Sequence, residues 1–74
     1  MTERPWLGER VRRLREEEAL TQVELAERAG VSLSTLARLE QTSWPVRAGT
    51  LRKLARALGV SPTALTRNEA DPRG

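Results

Sequence analysis

Cysteine and histidine are both absent from these 74 residues. Without cysteine, neither a disulfide nor a cysteine zinc site can brace the fold. Without histidine, the commonest general base and metal ligand is missing. Serine nucleophiles are left with no base, so the chain is expected to be no enzyme and to need no metal or cofactor. No apolar run approaches the roughly 20 residues of a membrane span. The opening Met1-Thr2-Glu3-Arg4-Pro5 lacks the apolar centre of a signal peptide. A soluble, cytoplasmic protein is expected. Repeats and low-complexity tracts are absent too. At this length one small core is the most the chain can build, and an all-helical bundle with short loops is the natural way to stabilise it.

Acids are scarce in one half. Eight of the ten lie at or before Glu40, and none falls between Gln41 and Asn68. That window holds Arg47, Arg52, Lys53, Arg56 and Arg67. A basic half favours a polyanionic partner, although solvated helix faces are commonly charged as well. Glu16, Glu17 and Glu18 read as a solvated helix end, because consecutive helical positions face different directions.

The most informative stretch is 22–41, two short helices bent around one glycine. Thr21-Gln22-Val23-Glu24 has the form of a capping box, and Ser32 can cap the second helix through its hydroxyl. Gly30 follows a run of helix formers and can turn left-handed at no steric cost. Leu25, Ala26 and Ala29 before the turn, and Val31, Leu36 and Leu39 after it, keep helical spacing. Ala26 is short enough to let two steeply crossing helices approach. The pattern is a helix-turn-helix.

Around it the chain predicts three further helices. The first runs from about Pro5 to Ala19, with Leu7, Val11 and Leu14 as the buried stripe and Arg10, Arg12 and Arg13 around it. The two motif helices span about Gln22–Arg28 and Leu33–Gln41. Residues 42–49 are irregular. Thr50 is the expected cap of a fourth helix with the stripe Leu51, Leu54, Ala55 and Leu58, ended by Gly59. Ser61-Pro62 opens a short fifth helix through Leu65. The expected architecture is all-α, with residues 1–67 as one five-helix domain and 68–74 as a flexible polar tail.

With these elements in order, the chain resembles the Cro-like (XRE) helix-turn-helix family of phage and bacterial repressors, from about Leu7 to Leu65. The segment Leu7-Gly8-Glu9-Arg10-Val11-Arg12-Arg13-Leu14-Arg15 resembles the family's first helix. Leu20-Thr21-Gln22 with Glu24-Leu25-Ala26, then Ala29-Gly30-Val31-Ser32, then Leu39-Glu40, match the motif. Residues 54–61, from Leu54 to Ser61, match the fourth helix and the cap of the fifth. The loop after the third helix departs from the pattern. Thr42 stands where the family has glycine, the proline is displaced to Pro45, and Trp44 is unexpected. Trp44 can cover the core edge, lie at a dimer interface or stack on a sugar-phosphate edge.

The resemblance implies a lambda-repressor-like domain whose second motif helix lies in the major groove of double-stranded DNA. Leu33, Ser34 and Arg38 then occupy the base-reading positions: Arg38 suited to guanine O6 and N7, Ser34 as donor or acceptor, Leu33 against a thymine methyl. Gln22, Thr35, Gln41 and Arg47 fall at phosphate-contact positions, and Arg15 with Glu40 at a structural ion pair. The implied function is a sequence-specific transcription regulator of bacterial or phage origin, a repressor working on the nucleoid. It would bind an inverted-repeat operator as a homodimer, because one short helix reads few base pairs. In a chain this short the dimer contact is expected around the fifth helix, from Leu65, Val60 and Trp44. Two other readings stay open: an antitoxin-like or controller-type regulator that also binds a protein partner, and a protein-interaction module without DNA binding.

Overall fold

Five α-helices account for most of the residues described by the computed structural model, 5–43 and 46–67: α1 (Leu7–Glu17), α2 (Gln22–Ala29), α3 (Leu33–Thr42), α4 (Ala48–Leu58) and α5 (Pro62–Thr66). No strand occurs among the described residues. The all-α class read from the sequence is the observed one. The expectations for Trp44 and for the 68–74 tail lie outside the described residues.

Four of the helix starts follow one rule. An apolar residue precedes the cap, and a leucine sits at the fourth helical position: Leu20 and Leu25, Val31 and Leu36, Val46 and Leu51, Val60 and Leu65. All eight join the core or pack against it, the hydrophobic staple arrangement that fixes the angle at which a chain enters a helix. At three of these starts a hydroxyl completes the cap. Thr21 Oγ1 accepts from the Glu24 N–H at 3.0 Å, Ser32 Oγ from Thr35 at 3.1 Å and Ser61 Oγ from Ala64 at 3.3 Å. The Thr21 N–H donates back to Glu24 Oε1 at 2.8 Å, which closes the capping box. The hydrogen bonds from the Thr21 backbone and hydroxyl, helped by Arg28, hold the Glu24 carboxyl below its ordinary pKa.

The fourth helix corrects the sequence reading. It starts at Ala48 with Arg47 as its N-cap, so Thr50 lies inside the first turn and caps nothing. The staple explains the earlier start: placing Leu51 four positions into the helix seats both it and Val46 on the core.

The helix ends share a rule as well. After α1, α2 and α4 the chain turns left-handed at Ala19, Gly30 and Gly59. The next residue donates back across the turn: Leu20 to Arg15, Val31 to Ala26, Val60 to Ala55, each at 3.0–3.1 Å. These are Schellman closures. The first helix is therefore shorter than the expected 5–19, since Ala19 is already left-handed and Trp6 is the N-cap. At Gly30, with φ +71°, an added Cβ would meet nothing within 4 Å, so the backbone alone sets the cost of a side chain there. Gly30→Val is expected to destabilise by about 2 kcal/mol, and Gly30→Asn by clearly less. Urea unfolding of both variants measures this, and equal stabilities for valine and glycine would disprove a left-handed turn.

Packing closes the bundle. The α1 helix lies on α3 and α5, α2 on α3 and α4, and α4 on α5. Val11, Leu25, Leu36, Leu39, Leu54 and Leu65 are completely inaccessible, and Ala26 is buried where α2 meets its neighbours. Two expectations change here. Leu65 lies fully inside the core and Val60 packs against it, so Leu65 offers no surface to a second copy. Leu14 is only partly buried, whereas Arg10 is just 8% exposed. Arg10 follows Leu7 by three positions and so shares its face. Its guanidinium donates to the carbonyls of Ala64 and Leu65 at 3.3 Å, and to that of Arg67. These are groups a helix end otherwise leaves unpaired. The cation is a clamp on α5.

Candidate nucleic-acid interface

The geometry of α3 follows from its two leucines. Leu36 and Leu39 are wholly buried, which turns the opposite face outward. Leu33, Ser34, Arg38 and Gln41 are exposed on it, with the small, partly covered Ala37 between them. Leu33 is 45% exposed. The only other large apolar side chain exposed among the described residues is Val23, at 49%, in the first turn of α2. Both therefore stand at the N-terminal ends of the two motif helices.

Thr35 differs from its neighbours. It is half-buried, and its hydroxyl accepts from Ser32 Oγ at 2.7 Å while its N–H donates to the same oxygen. This side chain is part of the cap of α3. Thr42 turns its hydroxyl back to the Arg38 carbonyl at 2.8 Å. Arg47 is exposed at the start of α4.

A charged network holds α3 against the rest of the domain. Arg15 grips Glu40 with two parallel bonds, Nε to Oε2 at 2.8 Å and Nη2 to Oε1 at 2.9 Å. Its remaining nitrogen, Nη1, donates to the Leu20 carbonyl at 2.8 Å. Gln22 Nε2 adds a third donor to Glu40 at 3.1 Å. The side chains of Arg15 and Glu40 are only 12% and 4% exposed. The hydrogen bond to Glu40, reinforced by its charge, raises the guanidinium pKa further despite burial. Gln22 is thus anchored by its amide nitrogen and borders a cleft of about 450 Å³ between α1, α2 and α3. Arg12, Arg15, Glu16, Gln22, Ala37, Glu40 and Gln41 line that cleft. It brings Gln22 and Gln41 together, while Arg47 stands apart from it.

Two residues with structural roles at this seam were not singled out from sequence. Ser43, left-handed at φ 53°, accepts from the Gly8 N–H at 3.0 Å and donates to the Pro5 carbonyl at 2.8 Å. It caps the first turn of α1 from another helix, which nothing in its local sequence signals. Gly8 lies where α1 runs against the α3 backbone, so that an added Cβ would come within 2.1 Å of the Leu39 carbonyl oxygen. A glycine inside a helical pattern, with no turn to make, is the signal that could have found it.

Two consecutive capped helices around a left-handed glycine, with the second helix's outer face bare, define the helix-turn-helix class. Residues 6–68 match the helix-turn-helix domain family. The chain belongs to that family, in its Cro-like (XRE) branch. It is 40% identical over 63 residues to the immunity repressor protein of Bacillus phage phi105, covering 85% of this chain but 44% of that protein. Its fold is similar to the N-terminal DNA binding domain of SinR from Bacillus subtilis, with a TM-score of 0.82 and 30% identity over 92% of this chain and all of that one. It is also similar to the restriction-modification controller protein C.AhdI from Aeromonas hydrophila, with a TM-score of 0.78 and 33% identity over 82% of this chain and 92% of that one. The chain thus spans less than half the length of that phage repressor.

Proposed function

We propose that this domain is a sequence-specific double-stranded DNA-binding transcription regulator, a repressor that docks α3 in the major groove. The observation that carries the reading is the outer face of α3, where Leu33, Ser34, Arg38 and Gln41 share one exposed stripe beside Ala37. Arg38 supplies a bidentate guanine contact, Ser34 a donor or acceptor, and Leu33 an apolar contact to a thymine methyl. Gln22, Gln41 and Arg47 face phosphates along the rim. Thr35 contributes less, through the hydroxyl hydrogen left over from its bond with Ser32. The likeness to a phage immunity repressor supports repression as the sign of control.

Selection of bound duplexes from random DNA tests this directly. A defined motif containing guanine and thymine is expected, and recovery of unrelated sequences would overturn the reading. On the selected site Arg38→Ala is expected to cost about 1–3 kcal/mol while random DNA loses much less. Equal losses on both would make Arg38 a phosphate contact.

Two copies on an inverted repeat supply the specificity that one short helix lacks. With Leu65 sealed in the core, the described residues leave little apolar surface around α5, so free association should be weak. Sedimentation with a duplex carrying two half-sites about 34 Å apart should give two bound chains cooperatively. Binding of a single chain at saturation would remove the homodimer from this proposal.

A further inference from the structure

The cleft beside α3 holds four charged groups of unequal freedom. Arg15 and Glu40 are buried and bound to each other by two hydrogen bonds. Arg12 and Glu16 are the exchangeable ones. They meet one helical turn apart on α1, Nε to Oε2 at 3.4 Å, with side chains 62% and 56% exposed. A pair so open to water and so loosely joined contributes little. The cleft wall that faces them carries Ala37 and Gln41, from the edge of the exposed α3 stripe, and Gln22 from the first turn of α2.

A helix with its side chains is about 10–12 Å across, close to the roughly 12 Å width of the major groove. A helix seated there has a sugar-phosphate strand along each flank. In the docking proposed above, the strand on one flank of α3 would run past this cleft, because Ala37, Glu40 and Gln41 of α3 line it. We propose that Arg12 is a phosphate-contact residue: on docking, its guanidinium leaves Glu16 and takes a backbone phosphate at the cleft mouth. Glu16 is the counterweight, holding Arg12 when DNA is absent and repelling a phosphate that arrives without the exchange. The exchange favours DNA because a phosphate offers the guanidinium charged, bidentate acceptors. This inference rests on the DNA-binding reading above and adds a residue to it.

The test measures binding of the full chain to the selected duplex and to a random duplex across a salt series. The variants are Arg12→Gln, Glu16→Gln and the double variant. Both positions are exposed, so thermal melts should match the parent. Arg12→Gln should weaken both duplexes alike and reduce the slope of log K against log salt by about 0.9 per bound chain. If binding at 1 M salt is unaltered, that slope gives about an eightfold loss at 0.1 M. Glu16→Gln should strengthen binding, with a smaller gain when Arg12 is already replaced. A single neutral methylphosphonate, scanned along the selected duplex, should find one position that weakens the parent but leaves Arg12→Gln unaffected.

Unchanged affinity and slope in Arg12→Gln would overturn the proposal. So would a loss confined to the selected duplex, which marks a base contact, or strict additivity in the double variant. A parent chain that binds no duplex at all removes the DNA reading itself, an outcome visible before any variant is made.

Discussion

Replacing Glu40 with alanine is expected to destabilise the domain by about 3–5 kcal/mol, the cost of breaking a buried ion pair from one side. Glu40 accepts from Arg15 Nε, Arg15 Nη2 and Gln22 Nε2. Its loss strands a guanidinium that is 12% exposed and keeps only the Leu20 carbonyl. For a domain this small the loss is a large share of total stability. Urea unfolding of Glu40→Ala gives the number, and a change below about 1 kcal/mol would mean that water replaces the carboxylate freely. The informative companion is the double variant Arg15→Met with Glu40→Leu. It should recover most of the loss, because removing both charges also removes the desolvation cost. Such a variant would still fold, but nothing would hold the Gln22 amide, so the phosphate contact proposed for Gln22 should weaken.

Gly8→Ala is the second large effect. In an unpacked helix alanine would gain up to about 1 kcal/mol over glycine. Here the new methyl would come within 2.1 Å of the Leu39 carbonyl oxygen and 3.1 Å of that of Glu40, both fixed by the α3 backbone. It would also sit 2.9 Å from Ser43 Oγ. A backbone oxygen cannot rotate away, so α1 must lift from α3 and strain the Ser43 bridge and the Arg15–Glu40 pair with it. A net loss of about 3 kcal/mol is expected, near the top of the range for overpacking. Ser43→Ala isolates the bridge alone and should cost about 1 kcal/mol. If Gly8→Ala were as stable as the parent by thermal melting, the close approach of α1 to α3 would be wrong.

What the sequence determined was local. Thr21 with Glu24, Ser32, and Ser61 before Pro62 announce three helix starts, because a cap is a contact between residues two or three apart. Gly30 and Gly59 announce two ends, because a left-handed residue favours glycine wherever it occurs. The spacing of Leu36 and Leu39 fixed which side of α3 faces inward, and so which residues stand outside. The first helix was read two residues too long at each end, since alanine at position 19 gives no sign that it will turn left-handed. The start of α4 was missed because Arg47 has no capping side chain and Val46 acts only through the core.

The tertiary structure decided the roles that depend on a distant partner. Arg10 reads as one more surface cation until α5 arrives to supply carbonyls 54 to 57 positions away. Leu65 reads as available apolar surface until the bundle closes over it. Gly8 and Ser43 acquire their purpose only where α1 meets α3, and Arg12 differs from Arg15, which borders the same cleft, in keeping its guanidinium open to water. Each of these depends on groups brought together by packing, and helical periodicity along one segment carries no information about what the opposite element presents.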